Sequence, residues 1–277
     1  MENIFTNLQR SFLRGGILTK LIYINVGVFL VIHLWRICFI LFNLPEITLL
    51  PFLQMPSSPG AFITKPWTVI TYMFTHFDFL HILFNMLWLY WFGTIFLQFF
   101  NPRQLGGLYL LGGIAGGLLF MAAYNLFPYF RNLADQSALM GASASVMAVV
   151  FAVSFYRKDY FVTLLFLGRV KLIYLACGVF IFDLLAITSS NAGGHIAHIG
   201  GALLGICFAS RPKGFTLKRK PKMRVSYHKR NETDYEYNAR QQAANAEIDA
   251  ILDKLKQSGY AGLSSAEKKK LFDASRK

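Results

Sequence analysis

Six apolar stretches between residues 21 and 210 leave this chain few ways to fold. A helix that crosses the hydrocarbon core of a bilayer needs about 20 predominantly apolar residues. Residues 21–44, 78–99 and 104–124 meet that length, and residues 171–188 and 194–210 come close to it. Residues 141–156 make a shorter segment, about 24 Å at 1.5 Å per residue, so it is expected to begin inside the bilayer or to sit among longer neighbours. Residues 160–167 are apolar but too short to cross, and read as a lead-in on the inner surface. The expected fold class is an all-α polytopic membrane protein: six transmembrane helices with a short cytoplasmic helical tail.

Charge divides the chain in two. Residues 1–210 hold 11 Lys/Arg and 6 Asp/Glu, whereas residues 211–277 hold 17 and 8. Only 15% of the chain is charged, against about 25% in soluble domains. The expected organisation is a cytoplasmic segment over 1–20, a membrane domain over 21–210, a basic juxtamembrane linker over 211–239 and a helical hairpin over 240–277. Basic residues in short loops mark the cytoplasmic side. Arg10, Arg14 and Lys20 precede the first span, Arg157, Lys158, Arg169 and Lys171 lie between the fourth and fifth, and Arg211 and Lys213 follow the sixth. The opposite loops carry only Lys65 and Arg131. Both termini are therefore expected in the cytoplasm, and the membrane is expected to be a bacterial plasma (inner) membrane. Cys38, Cys177 and Cys207 sit in apolar sequence without pairing spacing and read as small packing residues.

Polar side chains inside apolar segments are costly and point to function. Ser143 opens the short fourth segment. Serine is a weak nucleophile that needs a base within reach, and His198 in the sixth segment is the candidate. Ser143 could equally serve as a helix cap or a packing serine, and Ser145 competes for its role. His198 is followed by Gly201 and Gly205, three and seven residues on. Glycines on that face let another helix approach closely, and Ala144, Ala148 and Ala152 offer a matching smooth stripe. His81 and Asn85 share one face of the second segment. They are either oxyanion donors or polar residues that tie helices together. Asp78 is expected to cap that helix, and His76 to brace the first outer loop. Asp183 is an intramembrane acid with no partner identifiable from sequence. Gly112, Gly113, Gly116 and Gly117 read as a close-packing face remote from these residues. The segment 125–140 must dip into the protein to deliver Ser143.

These residues resemble the rhomboid family of intramembrane serine proteases over about residues 15–210. The resemblance rests on Gly141-Ala142-Ser143-Ala144, on Ala197-His198-Ile199-Gly200-Gly201 with Gly205, and on His81-Ile82-Leu83-Phe84-Asn85. Pro66-Trp67-Thr68 and Thr75-His76 also look like the family's first loop. The resemblance implies a Ser143–His198 dyad without a third acid. His81, Asn85 and the Ser143 backbone N–H would stabilise the oxyanion, and Gly141, Gly201, Gly205 and Met147 would give structural support. It further implies cleavage of single-pass or polytopic membrane proteins near the outer surface, with no metal or cofactor. Ala144, Met147 and Thr68 depart from residues common in the family, which bears on efficiency more than on chemistry.

Two other functions compete. One is a catalytically inactive relative that binds transmembrane segments. The other is a metal- or haem-binding membrane protein or transporter using His76, His81, His195 and His198. In the tail, the basic run 211–231 suits anionic lipid head groups; as it is tethered to the bilayer, nucleic acid is not an expected partner. Ile248, Ile251, Leu252 and Leu255 have helical spacing. Gly259 ends that helix, and Ser264 with Glu267 forms a capping box for a second carrying Leu271 and Phe272. The partner of this hairpin is not legible.

Overall fold

The computed structural model describes residues 4–44, 48–164, 168–211 and 234–274. It divides into two units, residues 1–218 and 219–277. In the first, α1 (Ile4–Arg14) leads into α2 (Ile17–Leu41). The connection from α2 to the next long helix carries α3 (Leu50–Leu53), β1 (Met55–Pro56), α4 (Pro59–Thr64) and α5 (Thr68–Thr71), with a 3-10 turn over Tyr72–Phe74. Then come α6 (Phe79–Leu97), α7 (Pro102–Leu126), α8 (Pro128–Arg131), β2 (Ala138–Leu139) and α9 (Ser143–Tyr156). The hairpin β3 (Phe161–Leu164) and β4 (Gly168–Lys171) is followed by α10 (Leu172–Leu185) and α11 (Ala192–Ser210).

Four of these helices, α2, α6, α7 and α11, are long and apolar enough to cross a membrane, and α9 and α10 are shorter apolar helices. The chain is a multi-pass helical membrane protein. Its outer faces suit lipid: Leu30, Val31 and Leu34 on α2 and Ile181, Phe182 and Leu185 on α10 are all exposed. Cys38 and Cys207 also face outward rather than packing inside. The all-helical expectation needs one adjustment, because residues 161–164 pair antiparallel with residues 168–171 where an apolar lead-in is expected. Its Phe161 ring lies under Arg169 and Lys171, at 5.3 and 5.7 Å.

Helix α9 is the buried axis of the unit. Every residue from Ala144 to Ser154 is buried, so α9 must be enclosed by neighbours. Small residues make that possible. A Cβ on Gly201 would overlap the Ala144 carbonyl, and one on Gly205 would overlap the Ala148 carbonyl. The α11 backbone therefore lies directly on α9, along the stripe anticipated from sequence. The third helix corrects the sequence reading. Gly116 of α7 does not face away from the polar residues. A Cβ there would stand 2.6 Å from Ala144 Cβ and 2.7 Å from the Ala197 carbonyl oxygen. One on Gly200 would stand 2.8 Å from the Ala115 carbonyl oxygen. Three backbones thus converge beside Ser143 and His198.

The α2–α6 connection and the segment before α9 are tied together. Met55 pairs with Leu139 and Pro56 with Ala138. Ser57 donates through Oγ to the Ala134 carbonyl, and Asn125 Nδ2 donates to the Ser57 carbonyl at 2.8 Å. Below them, Tyr109 of α7 donates to the Met73 carbonyl at 2.9 Å and accepts from Asn25 of α2 at 3.1 Å.

The second unit is a helical hairpin. Helix α12 (Asp234–Ser258) begins inside the stretch expected to be linker, and most of the basic run 211–231 lies outside the described residues. Gly259, at φ 70°, ends α12. Ser264 Oγ accepts from Glu267 N at 3.3 Å while Glu267 accepts from Ser264 N at 2.7 Å, capping α13 (Ser265–Ala274). Lys254 on α12 reaches Glu267 at 2.9 Å, and Ile251 and Leu263 are the buried apolar residues among those described in this unit.

The convergence of α7, α9 and α11 predicts a contrast among glycines. Gly201→Ala and Gly116→Ala should each lower stability by about 1–3 kcal/mol through overpacking. A displacement near 1 Å at the adjoining polar residues would lower activity on the order of a hundredfold. Gly178 on α10 has open space where a Cβ would go, so Gly178→Ala should leave both near native. Thermal midpoints and turnover of the three variants in detergent check this. Native behaviour of Gly201→Ala would mean that α9 and α11 are not in backbone contact.

Candidate active site

The approach to Ser143 is set by Gly141. Its φ of 115° is a conformation that L side chains rarely adopt. A Cβ there would also stand 2.8 Å from the His81 ring. The Gly141 N–H donates to the Tyr72 carbonyl at 2.9 Å, and the Tyr72 hydroxyl donates to the Gly113 carbonyl at 2.5 Å. Tyr72 thereby ties this turn to α7. The next residue, Ala142, donates its N–H to His76 Nε2 at 3.1 Å. His76 is fully buried and braces the turn that delivers Ser143; sequence had placed it against the first loop. Asp78 occupies the N-cap position of α6 without a side-chain capping bond.

Ser143 is the first residue of α9 and is partly accessible. It lines a cavity of about 230 Å³ together with Asn85 of α6, Met147 of α9, Asp183 of α10, and His195 and His198 of α11. Ser145 points elsewhere: it is fully buried, with Oγ 3.7 Å from Met73 Sδ. Of the two serines, only Ser143 opens on the cavity that holds the histidine. Asn85 Nδ2 donates to the His81 carbonyl at 2.8 Å, which leaves its second N–H for a ligand. His81 is not among the cavity-lining residues; its ring lies against Gly141 and 5.2 Å from the His76 ring.

Asp183 is the residue that sequence could not place. It is 3% exposed, and its Oδ1 lies 2.8 Å from His195 Nδ1 and 2.9 Å from His198 Nδ1. His198 thus has a carboxylate neighbour, where the resemblance implies a dyad without a third acid. A signal was present in the chain. Asp183 lies two residues before the end of α10, and His195 lies three after the start of α11. A short connection between antiparallel helices places such positions side by side. Each of the three residues also offers one donor atom within 4.8 Å of the others, which makes them the candidate metal-binding set among the described residues.

A family model described as the rhomboid domain matches residues 64–211. The chain belongs to the rhomboid family. A second model, for a family of unknown function, matches residues 231–277. The chain is 33% identical over 160 residues to RHOMBOID-like protein 12, mitochondrial, of Arabidopsis thaliana, covering 53% of this chain and 47% of that protein. It is 30% identical over 152 residues to Rhomboid protease GlpG of Haemophilus influenzae, covering 52% of this chain and 68% of that one. The alignment thus spans about half of the plant protein. The rhomboid match contains Ser143, His198, Asn85, His81 and Asp183, and stops short of α12 and α13.

Burial of His76 predicts that acid lowers the stability of this rhomboid domain. Burial first, and the neighbouring His81 second, push its pKa down to about 4, against a smaller upward contribution from the Phe74 backbone. The unfolded chain titrates near 6.5 and the folded chain near 4, so between them the unfolded state binds the extra proton. Stability from neutral His76 is complete above the higher value and falls as pH drops toward the lower. His76→Gln keeps a hydrogen-bond acceptor without that titration. Its thermal midpoint should vary less than the native one across this window. Equal pH slopes for the two proteins would mean that His76 is not buried in its neutral form.

Proposed function

We propose that this chain is a serine endopeptidase that cleaves transmembrane-segment substrates within the bilayer, near its outer surface. The observation that carries the reading is that Ser143 and His198 open on one cavity, while Ser145 is sealed in packing. Ser143 Oγ attacks the scissile carbonyl carbon as His198 Nε2 takes its proton. The oxyanion that forms receives the Ser143 backbone N–H and the free N–H of Asn85. His198 then passes the proton to the leaving amine, and the acyl group stays on Ser143. A water molecule, deprotonated by the same imidazole, releases it. His81 supports this site through Gly141, whose turn sets the direction of the Ser143 N–H.

Membrane-protein substrates and the lipid bilayer are the partners this reading requires. The basic inner loops support an assignment to a bacterial inner membrane with both termini in the cytoplasm. The hairpin 234–274 stands as a cytoplasmic appendage whose partner the site does not specify.

Reconstituted protein and a model single-pass substrate test the reading. Ser143→Ala and His198→Ala should each lower cleavage by several decades, because members of a nucleophile–base pair act as a unit. Ser145→Ala should stay active. Asn85→Ala should lower kcat by roughly tenfold to a thousandfold, the range for one lost oxyanion donor, with a smaller change in KM. Native cleavage by Ser143→Ala would remove the assignment, and binding of substrate without cleavage would replace it with an inactive transmembrane-segment binder.

A further inference from the structure

We propose that Asp183 is a positioning residue for this reaction: its carboxylate holds His198 with hydrogen on Nδ1, and so keeps Nε2 free as the base for Ser143. The proposal rests on the Ser143–His198 reading and adds a third member to it. The geometry is specific. Contacts of 2.8 and 2.9 Å from Nδ1 of His195 and His198 to the same Oδ1 lie at hydrogen-bond length. A carboxylate that accepts both contacts requires hydrogen on each Nδ1, and in a neutral imidazole hydrogen on Nδ1 leaves Nε2 as the lone-pair acceptor. His198 then has the tautomer that general-base chemistry with serine demands.

The cost of placing this acid argues for the role. Asp183 is buried on an apolar helix, and a carboxylate in such a place is costly unless it is paired. Among the described residues, its two hydrogen-bond partners are the histidines three residues apart on α11. Helical spacing turns both rings toward α10. A carboxylate needed only to hold α10 to α11 would be served by one donor away from the cavity. Here it holds the imidazole that shares a cavity with Ser143. His195 supplies the second donor and fixes the direction of the carboxylate. When His198 takes the serine proton, the imidazolium forms beside a fixed negative charge, which lowers the barrier without Asp183 itself taking a proton.

Two measurements test this. The first is the 15N spectrum of histidine-labelled Ser143→Ala protein in detergent, with His195→Gln used to assign the His198 signals. His198 should show protonated Nδ1 and unprotonated Nε2, and Asp183→Asn should move it toward the opposite tautomer, because the asparagine amide can donate to Nδ1. The second is turnover. Asp183→Asn is isosteric and should lower kcat by on the order of a hundredfold to ten-thousandfold, the upper value being that of the same change in soluble triads, with KM within about threefold. A native His198 spectrum showing hydrogen on Nε2 overturns the proposal, whether or not Asp183→Asn folds. So does native kcat in a folded Asp183→Asn protein, while leaving Ser143 and His198 in place. Loss of the native spectrum on chelation, restored by Zn2+, would make the three residues a metal site and also overturn it. Cleavage that survives Ser143→Ala defeats the protease reading instead, and the tautomer result still stands or falls by itself.

Discussion

The contact on which everything else depends is the bare-backbone approach of α11 to α9. Gly201 and Gly205 rest on the Ala144 and Ala148 carbonyls, and nothing larger than hydrogen fits between them. Lipid offers no hydrophobic drive for two apolar helices to associate, so close van der Waals packing between small residues has to supply it. Because Ser143 and His198 are each three residues or fewer from that contact, the packing that stabilises the bundle also sets the distance between the two groups. Gly116 of α7 closes the same junction from a third side. Fold stability and the geometry of the Ser143–His198 pair therefore share one set of atoms, and a methyl group in the wrong place is expected to disturb both.

The outer half of the site is built by hydrogen bonds instead. Irregular backbone is tolerated at membrane depth only where the protein satisfies it. Tyr72 receives Gly141, His76 receives Ala142, and the β1–β2 pair fastens the segment before α9 to the α2–α6 connection. These bonds explain how a helix of 14 residues can begin part-way through the protein with its first serine exposed to a cavity. They also make this turn the place where acid is expected to act, because the His76 imidazole is the acceptor there.

Sequence made visible whatever follows from periodicity along one helix. The glycine face of α11, the alanine stripe of α9 and the shared face of His81 and Asn85 are all of that kind. Pairings between helices were legible only where two faces were complementary in shape. Gly116 was misplaced because its stripe of glycines shows that something packs closely, but not which helix does. Asp183 was left without a partner because its two bonds cross from α10 to α11, and their spacing follows the connection between the helices rather than either helix alone. The β3–β4 hairpin was missed because an apolar run of that length fits a strand and a buried helical turn equally well. His76 reads from sequence as a brace for the first loop, whereas its contact with Ala142 lies 66 residues away.

The central claim is that Ser143 is a nucleophile made reactive by His198. The most direct measurement is covalent labelling of the folded protein with a fluorophosphonate, with the modified residue located by mass spectrometry. The claim predicts one adduct, on Ser143, which disappears in a folded His198→Ala variant. Label on Ser145, or label on Ser143 that persists without His198, would contradict it.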